Sequence, residues 1–139
     1  MRKVPRLVSV MTPFPHSVEL DVTAQVALDL MHEHSIRHLP VTRGHVAYSL
    51  VSREAISREA DLSGRAPSAF TVADVCERDP SLVDLNSPLD GVLDLMAERQ
   101  LHCVVATRGE RVAGVFTTVD ACSLLASILR GETPPDDVA

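Results

Sequence analysis

At 139 residues, the chain has the length of one compact domain or of two small halves sharing a core. Apolar residues make up 45% and charged residues 23%, a balance that excludes an intrinsically disordered chain. A net charge of −6 with scattered basic residues argues against a nucleic-acid partner, whose phosphates demand clustered Lys and Arg.

The start of the chain is basic but meets Pro13 and Pro15 before a signal-peptide core could form, which predicts a cytoplasmic protein. Val18 and Leu20 alternate with polar Ser17 and Glu19, the pattern of a short half-buried strand. Ala24, Ala27, Leu28 and Met31 then recur at helical spacing. A second strand, His38–Thr42, turns at Arg43-Gly44 into a third, Val46–Val51, and a second helix begins near Ser52. Residues 61–69, rich in small and breaking residues, are predicted as a linker. Thr71-Val-Ala-Asp74 is predicted as a capped single turn.

The same order then returns. Val83 and Leu85 give a strand, and Leu89, Val92, Leu93 and Met96 a helix, with Ser87 as its N-cap, Pro88 in its first turn and Asp90 as a capping-box carboxylate. Cys103–Thr107 and Val112–Thr117 form a second hairpin, followed by a helix from Thr118 through Leu129. Residues 131–139 are predicted as a polar tail without fixed structure. No apolar run exceeds four residues, where a transmembrane helix needs about 20, so no membrane partner is expected.

Sliding the sequence by 65 residues lays Pro15–Gly44 over Pro80–Gly109 with eleven of thirty positions identical. Past the hairpin turn the offset is predicted to become 66, placing Tyr48 over Gly114, Val51 over Thr117 and Glu54 over Asp120. The chain is thus a duplicated β-α-β-β-α unit of the α+β class, with repeats over residues 4–60 and 70–130. One copy of about 60 residues buries too little surface to be secure alone. The expectation is therefore two copies packed sheet to sheet about a pseudo-twofold axis.

Gly114-x-x-Thr117-x-x-Asp120 carries the most chemistry. A strand glycine permits close approach to the backbone, a strand-to-helix junction favours an anion, and a carboxylate one turn in offers two acceptors to the hydroxyls of a ribose. The same spacing is equally a capping box that binds nothing. Both alternatives stand on the residues alone.

Val10-Met-Thr-Pro13, Leu28-Asp-Leu-Met31, His38-Leu-Pro-Val41 and Gly114-Val-Phe-Thr117-Thr118-Val-Asp120, in that order and within a duplication, resemble a tandem CBS-domain pair, or Bateman module. The resemblance implies a regulatory module that binds an adenosine nucleotide of the AMP, ADP or ATP class, or S-adenosylmethionine or NAD, in clefts between the repeats. It further implies a homodimer that signals to a separate effector protein and requires no cofactor. It assigns Asp120 to ribose and Thr117 to phosphate or ribose. It implicates Thr12, His16 and Val18, with Ile36, Arg37 and Pro40, and His102, Cys103 and Val104, in holding the base or phosphate. Cys103 departs from the basic residue found there in some nucleotide-binding members. Tyr48, Val51 and Glu54 depart from the signature in the first copy, so one site per chain is expected.

An enzyme is not expected. The six histidines, His32 and His34 among them, lack a third ligand at recognisable spacing, and no phosphate loop or nucleophile motif is present. Cys76, Cys103 and Cys122 are odd in number with no C-x-x-C, so neither a disulfide framework nor a metal site is predicted. The competing reading is a CBS pair with empty clefts whose surface is its function.

Overall fold

A computed structural model of the chain describes residues 3–13, 15–78, 80 and 82–132. The predicted tail, from residue 133 on, lies outside them. The strands are β1 (Thr12–Pro13), β2 (Val18–Glu19), β3 (His38–Arg43), β4 (Val46–Ser52), β5 (Leu82–Asp84), β6 (Cys103–Arg108) and β7 (Arg111–Thr117). The helices are α1 (Ala24–Glu33), α2 (Arg53–Ser63), α3 (Val72–Val75), α4 (Leu89–Arg99) and α5 (Thr118–Leu129). The β-α-β-β-α order appears twice. The helix α2 runs through Ser63 and ends on left-handed Gly64 (φ 69°), so Asp61–Ser63 form its last turn.

Contacts divide the chain into two units. The first takes Pro15–Ser81, and the second takes Leu82–Ala139 together with Met1–Phe14. In the first unit β2, β3 and β4 form a sheet in that order; in the second the order is β1, β7, β6, β5. Each unit has its own core. Ala24, Ala27 and Met31 of α1 pack with Leu39, Val41, Val51, Ile56, Phe70 and Val72. Leu89, Val92 and Met96 of α4 pack with Leu7, Val104, Ala106 and Phe116.

Each unit also recruits a lead-in segment, and the two recruitments match at the 65-residue offset. Ala24 N donates to Phe70 O and Leu89 N to Pro5 O, both at 2.9 Å. Val72 N and Ala73 N bond Val22 O and Leu20 O, as Leu7 N and Val8 N bond Ser87 O and Leu85 O. Residues 5–13, expected at the start of the first copy, thus belong instead to the sheet and core of the second unit. This settles how α4 starts, and differently from expectation. Pro88 is its N-cap, without a side-chain cap bond, and Asp90 accepts from the adjacent Gly91 N. The Pro5 carbonyl serves the free N–H of Leu89, so Ser87 is not needed there.

The hairpin registers correct the predicted offset. His38 pairs with Ser52 and Val41 with Ser49, as Cys103 pairs with Thr117 and Ala106 with Gly114. Both hairpins have the same two-residue turn and a bulge at the same place. No residue is inserted, and the offset stays at 65. The counterparts of Gly114, Thr117 and Asp120 are therefore Ser49, Ser52 and Ala55, not Tyr48, Val51 and Glu54. The likeness of Glu54 to Asp120 pulled the reading out of register, because these strands are apolar on both faces and mark no phase.

At the first hairpin, the Thr42 hydroxyl donates to the Glu19 carboxylate and holds it below its ordinary pKa, against an opposing desolvation and helped by the backbone N–H groups of His45 and Gly44. A carboxyl lowered on folding adds stability above its unfolded pKa of about 4.3 and loses it as pH falls through the lowered value. Thr42→Val should therefore flatten the acid limb of a stability–pH curve between those two values, measured by urea unfolding at several pH values.

Candidate functional site

The signature residues lie on β7 and the first turn of α5. Thr117 is the N-cap, with extended backbone, and its hydroxyl accepts from Asp120 N at 3.2 Å. Asp120 Oδ2 accepts from Thr117 N at 2.9 Å. That is a complete capping box. The second oxygen, Oδ1, has no hydrogen bond among the described residues, and Asp120 is half-buried. The carboxylate therefore caps its own helix while keeping one acceptor for another group.

Gly114 is buried in β7 opposite Pro13 of β1. A Cβ built there would stand 2.6 Å from Met11 Sδ and 2.7 Å from Thr12 O. The close approach that this glycine permits is made by the chain's own lead-in strand. In the first unit the counterpart Ser49 meets the same approach with its hydroxyl, which donates to Glu77 O at 2.7 Å.

The other predicted residues fall into two groups, one in each unit. In the second, Thr12 pairs with Val115, Cys103 with Thr117 and Val104 with Phe116. Thr118 N donates to the carbonyl of exposed His102, so Thr12, His102, Cys103, Gly114, Thr117, Thr118 and Asp120 are placed around one end of the β6–β7 hairpin. Val104 is fully buried and belongs to the core. In the first unit, Val18 is buried in the core with Ile36 packed against it, and Pro40 is buried in β3. His16 stacks on His34, ring centroids 3.6 Å apart and planes 15° from parallel. Arg37 is exposed.

Arg37 opens onto a groove of about 660 Å³ that the sequence reading missed. Arg53, Glu54, Ser57, Arg58, Asp61 and Leu62 of α2 form the rest of its lining. None of the three arginines has an ion pair among the described residues. Unpaired guanidinium groups around a concavity suit a phosphate or carboxylate. The helical spacing of the α2 residues was visible, but Arg37 lies sixteen residues before Arg53 and joins them only in the fold. Ser52, the N-cap of α2, accepts from Ala55 N at 3.1 Å. The first copy thus keeps the cap hydroxyl and lacks the carboxylate.

Among the described residues no group of three or more His, Cys, Asp and Glu is placed to hold a metal, and no helix is long and apolar enough to cross a membrane.

Comparison with known proteins agrees with this architecture. The family model described as "CBS domain" matches residues 7–61 and again 72–127. Compared with the curated proteins, the sequence matches none. Among solved structures, Hypoxic Response Protein I with two coordinated zinc ions is 21% identical, covering 85% of this chain and 97% of that one at a TM-score of 0.76. The CBS domain pair of MJ0100, in complex with 5′-methylthioadenosine and S-adenosyl-L-methionine, is 16% identical, covering 91% and 99% at a TM-score of 0.81. A hexameric CBS-CP12 protein from bloom-forming cyanobacteria is 19% identical, covering 91% and 75% at a TM-score of 0.80.

Proposed function

The chain belongs to the CBS domain family and carries the domain twice, and we propose that this pair is a regulatory sensor for an adenosine nucleotide of the AMP, ADP or ATP class, held mainly through its second copy. The observation that carries the reading is the half-engaged carboxylate of Asp120. One oxygen fixes the side chain through the capping box, and the other is left to accept from ribose hydroxyls. The Thr117 hydroxyl accepts from Asp120 N and keeps its own O–H to donate to a ribose or phosphate oxygen beside it. The MJ0100 pair takes adenosine-derived ligands, which supports the adenosine part of the reading. No catalytic step is assigned to the chain. As a cytoplasmic homodimer it would pass the ligand's presence to a separate effector protein, through whichever surface conformation the ligand binds better.

A second reading rests on a specific observation. The capping box is complete, and Gly114 is fully accounted for by Met11 and Thr12, as expected of an interaction module that binds no nucleotide.

Thermal unfolding with AMP, ADP, ATP, NAD and S-adenosylmethionine separates the two. A ligand at a hundredfold excess over Kd stabilises the native state by about 2.7 kcal/mol. Asp120→Glu keeps a capping-box carboxylate but moves the acceptor by a methylene. It should leave the ligand-free melting temperature nearly unchanged and weaken nucleotide binding tenfold or more. Asp120→Ala should lose the ligand response and also about 1 kcal/mol of intrinsic stability. If no ligand moves the wild-type melting temperature, the interaction module is the correct reading.

A further inference from the structure

Where a lead-in segment meets its hairpin, the two copies fill the same space in different ways. At the 65-residue offset Met11 corresponds to Cys76, and Gly114 to Ser49. In the first unit the short Cys76 side chain stays local, its thiol 3.8 Å from Ala73 O, while the Ser49 hydroxyl reaches Glu77 O. In the second unit the long Met11 side chain lies over Gly114, with Sδ 2.6 Å and Cγ 3.0 Å from where a Cβ would stand. The side chain that Gly114 lacks is thus replaced by a thioether from the lead-in segment.

Beyond Leu7, little else fastens β1. Thr12 and Pro13 are both exposed, their pairing with β7 is two residues long, and Pro13 has no N–H to give to a ladder. Met11 is partly buried and packs on the core of the second unit, supplying the apolar contact that the strand itself does not make. Opening of so short a strand is a local event, well below global unfolding in cost, and it uncovers the sulfur. The other described methionines, Met31 of α1 and Met96 of α4, are 1% and 5% exposed inside their cores.

We propose that Met11 is an oxidation site, and that its sulfoxide unfastens β1 from β7. A sulfur lone pair attacks one oxygen of hydrogen peroxide, an S–O bond forms, the O–O bond breaks, and after proton transfer water leaves. Sulfur loses two electrons and the peroxide gains them. The product puts a polar S–O group on a side chain that fits because it is slender and apolar. Gly114 leaves no room on one side, and Thr12 O, 2.7 Å from the same Cβ position, presents a second negative oxygen. The oxidised side chain is better solvated outside, so β1 stays open. Sulfoxide reductases return the thioether, which makes the modification reversible.

The test treats the whole chain with hydrogen peroxide and then with dithiothreitol, which reverses disulfides and sulfenic acids and leaves sulfoxides in place. Peptide mass spectrometry should find Met11 converted ahead of Met31 and Met96. Amide exchange at Thr12 and Val115 should then quicken about tenfold or more, with His38–Ser52 unchanged, and methionine sulfoxide reductase should restore the protection. Met11→Leu, which nearly conserves volume, should keep its protection through the same treatment. Met11→Gln, polar at similar length, should show the loss without any oxidant. Met11 that stays unmodified at a peroxide concentration converting free methionine overturns the proposal. So does a Met11 sulfoxide that leaves Thr12 protected, or a Met11→Leu chain that loses protection as the wild type does. No readout uses a nucleotide, so the outcome is independent of the sensor reading.

Discussion

Leu7→Ala is expected to destabilise the second unit by about 2–5 kcal/mol, the range for truncating a buried leucine to alanine in a core that cannot collapse around the gap. Leu7 is fully buried, packed among Leu85, Leu89, Val92, Met96, Val104, Ala106 and Phe116. Every one of those partners lies more than seventy residues further along the chain. The first-copy equivalent is Val72, also fully buried, in the core with Ala24 and Ile56. Urea unfolding should show the loss as a lower midpoint at unchanged slope. Hydrogen exchange should place it on Cys103–Thr117 rather than on His38–Ser52. A loss confined to the first-copy hairpin would contradict the assignment of the lead-in segment to the second unit.

Gly114→Ala should cost about 1–3 kcal/mol, and Gly114→Val more, because the added carbon overpacks a filled site. The obstacle is a backbone carbonyl, Thr12 O at 2.7 Å, as well as the flexible Met11 side chain at 2.6 Å. Met11→Ala should therefore rescue only part of the loss. The strain is relieved by lifting β1 away from β7, so exchange protection at Thr12 and limited proteolysis of residues 3–13 report it. Ser49 occupies the equivalent place and is held by its bond to Glu77 O, so Ser49→Ala should cost far less, about the 1 kcal/mol of a single hydrogen bond. Equal costs at the two positions would show that the lead-in strand is not what requires the glycine.

The carboxylate of Asp120 illustrates why one arrangement supports two readings. A capping box uses one oxygen of its acid, and a ligand needs only the other. The substitution that separates the readings is the one that keeps the first bond and displaces the second.

Periodicity and turn chemistry determined the β-α-β-β-α order and the hairpins, because each is written in side chains a few residues apart; identities at a 65-residue offset determined the duplication, and the family came from the resemblance of the motifs within it. The capping box at Thr117 and Asp120 was legible for the same reason. Three features were decided only in three dimensions. The exchange of lead-in segments rests on backbone bonds from Pro5, Phe70, Thr12 and Glu77, which no side chain announces, and two similar copies offer each segment two similar sheets. The equivalence of Ser52 to Thr117 between the copies depends on the register within each hairpin, which alternation cannot fix where both faces are apolar. The groove joining Arg37 to α2 is a matter of what neighbouring elements leave uncovered, a property of the packed molecule and of no segment within it.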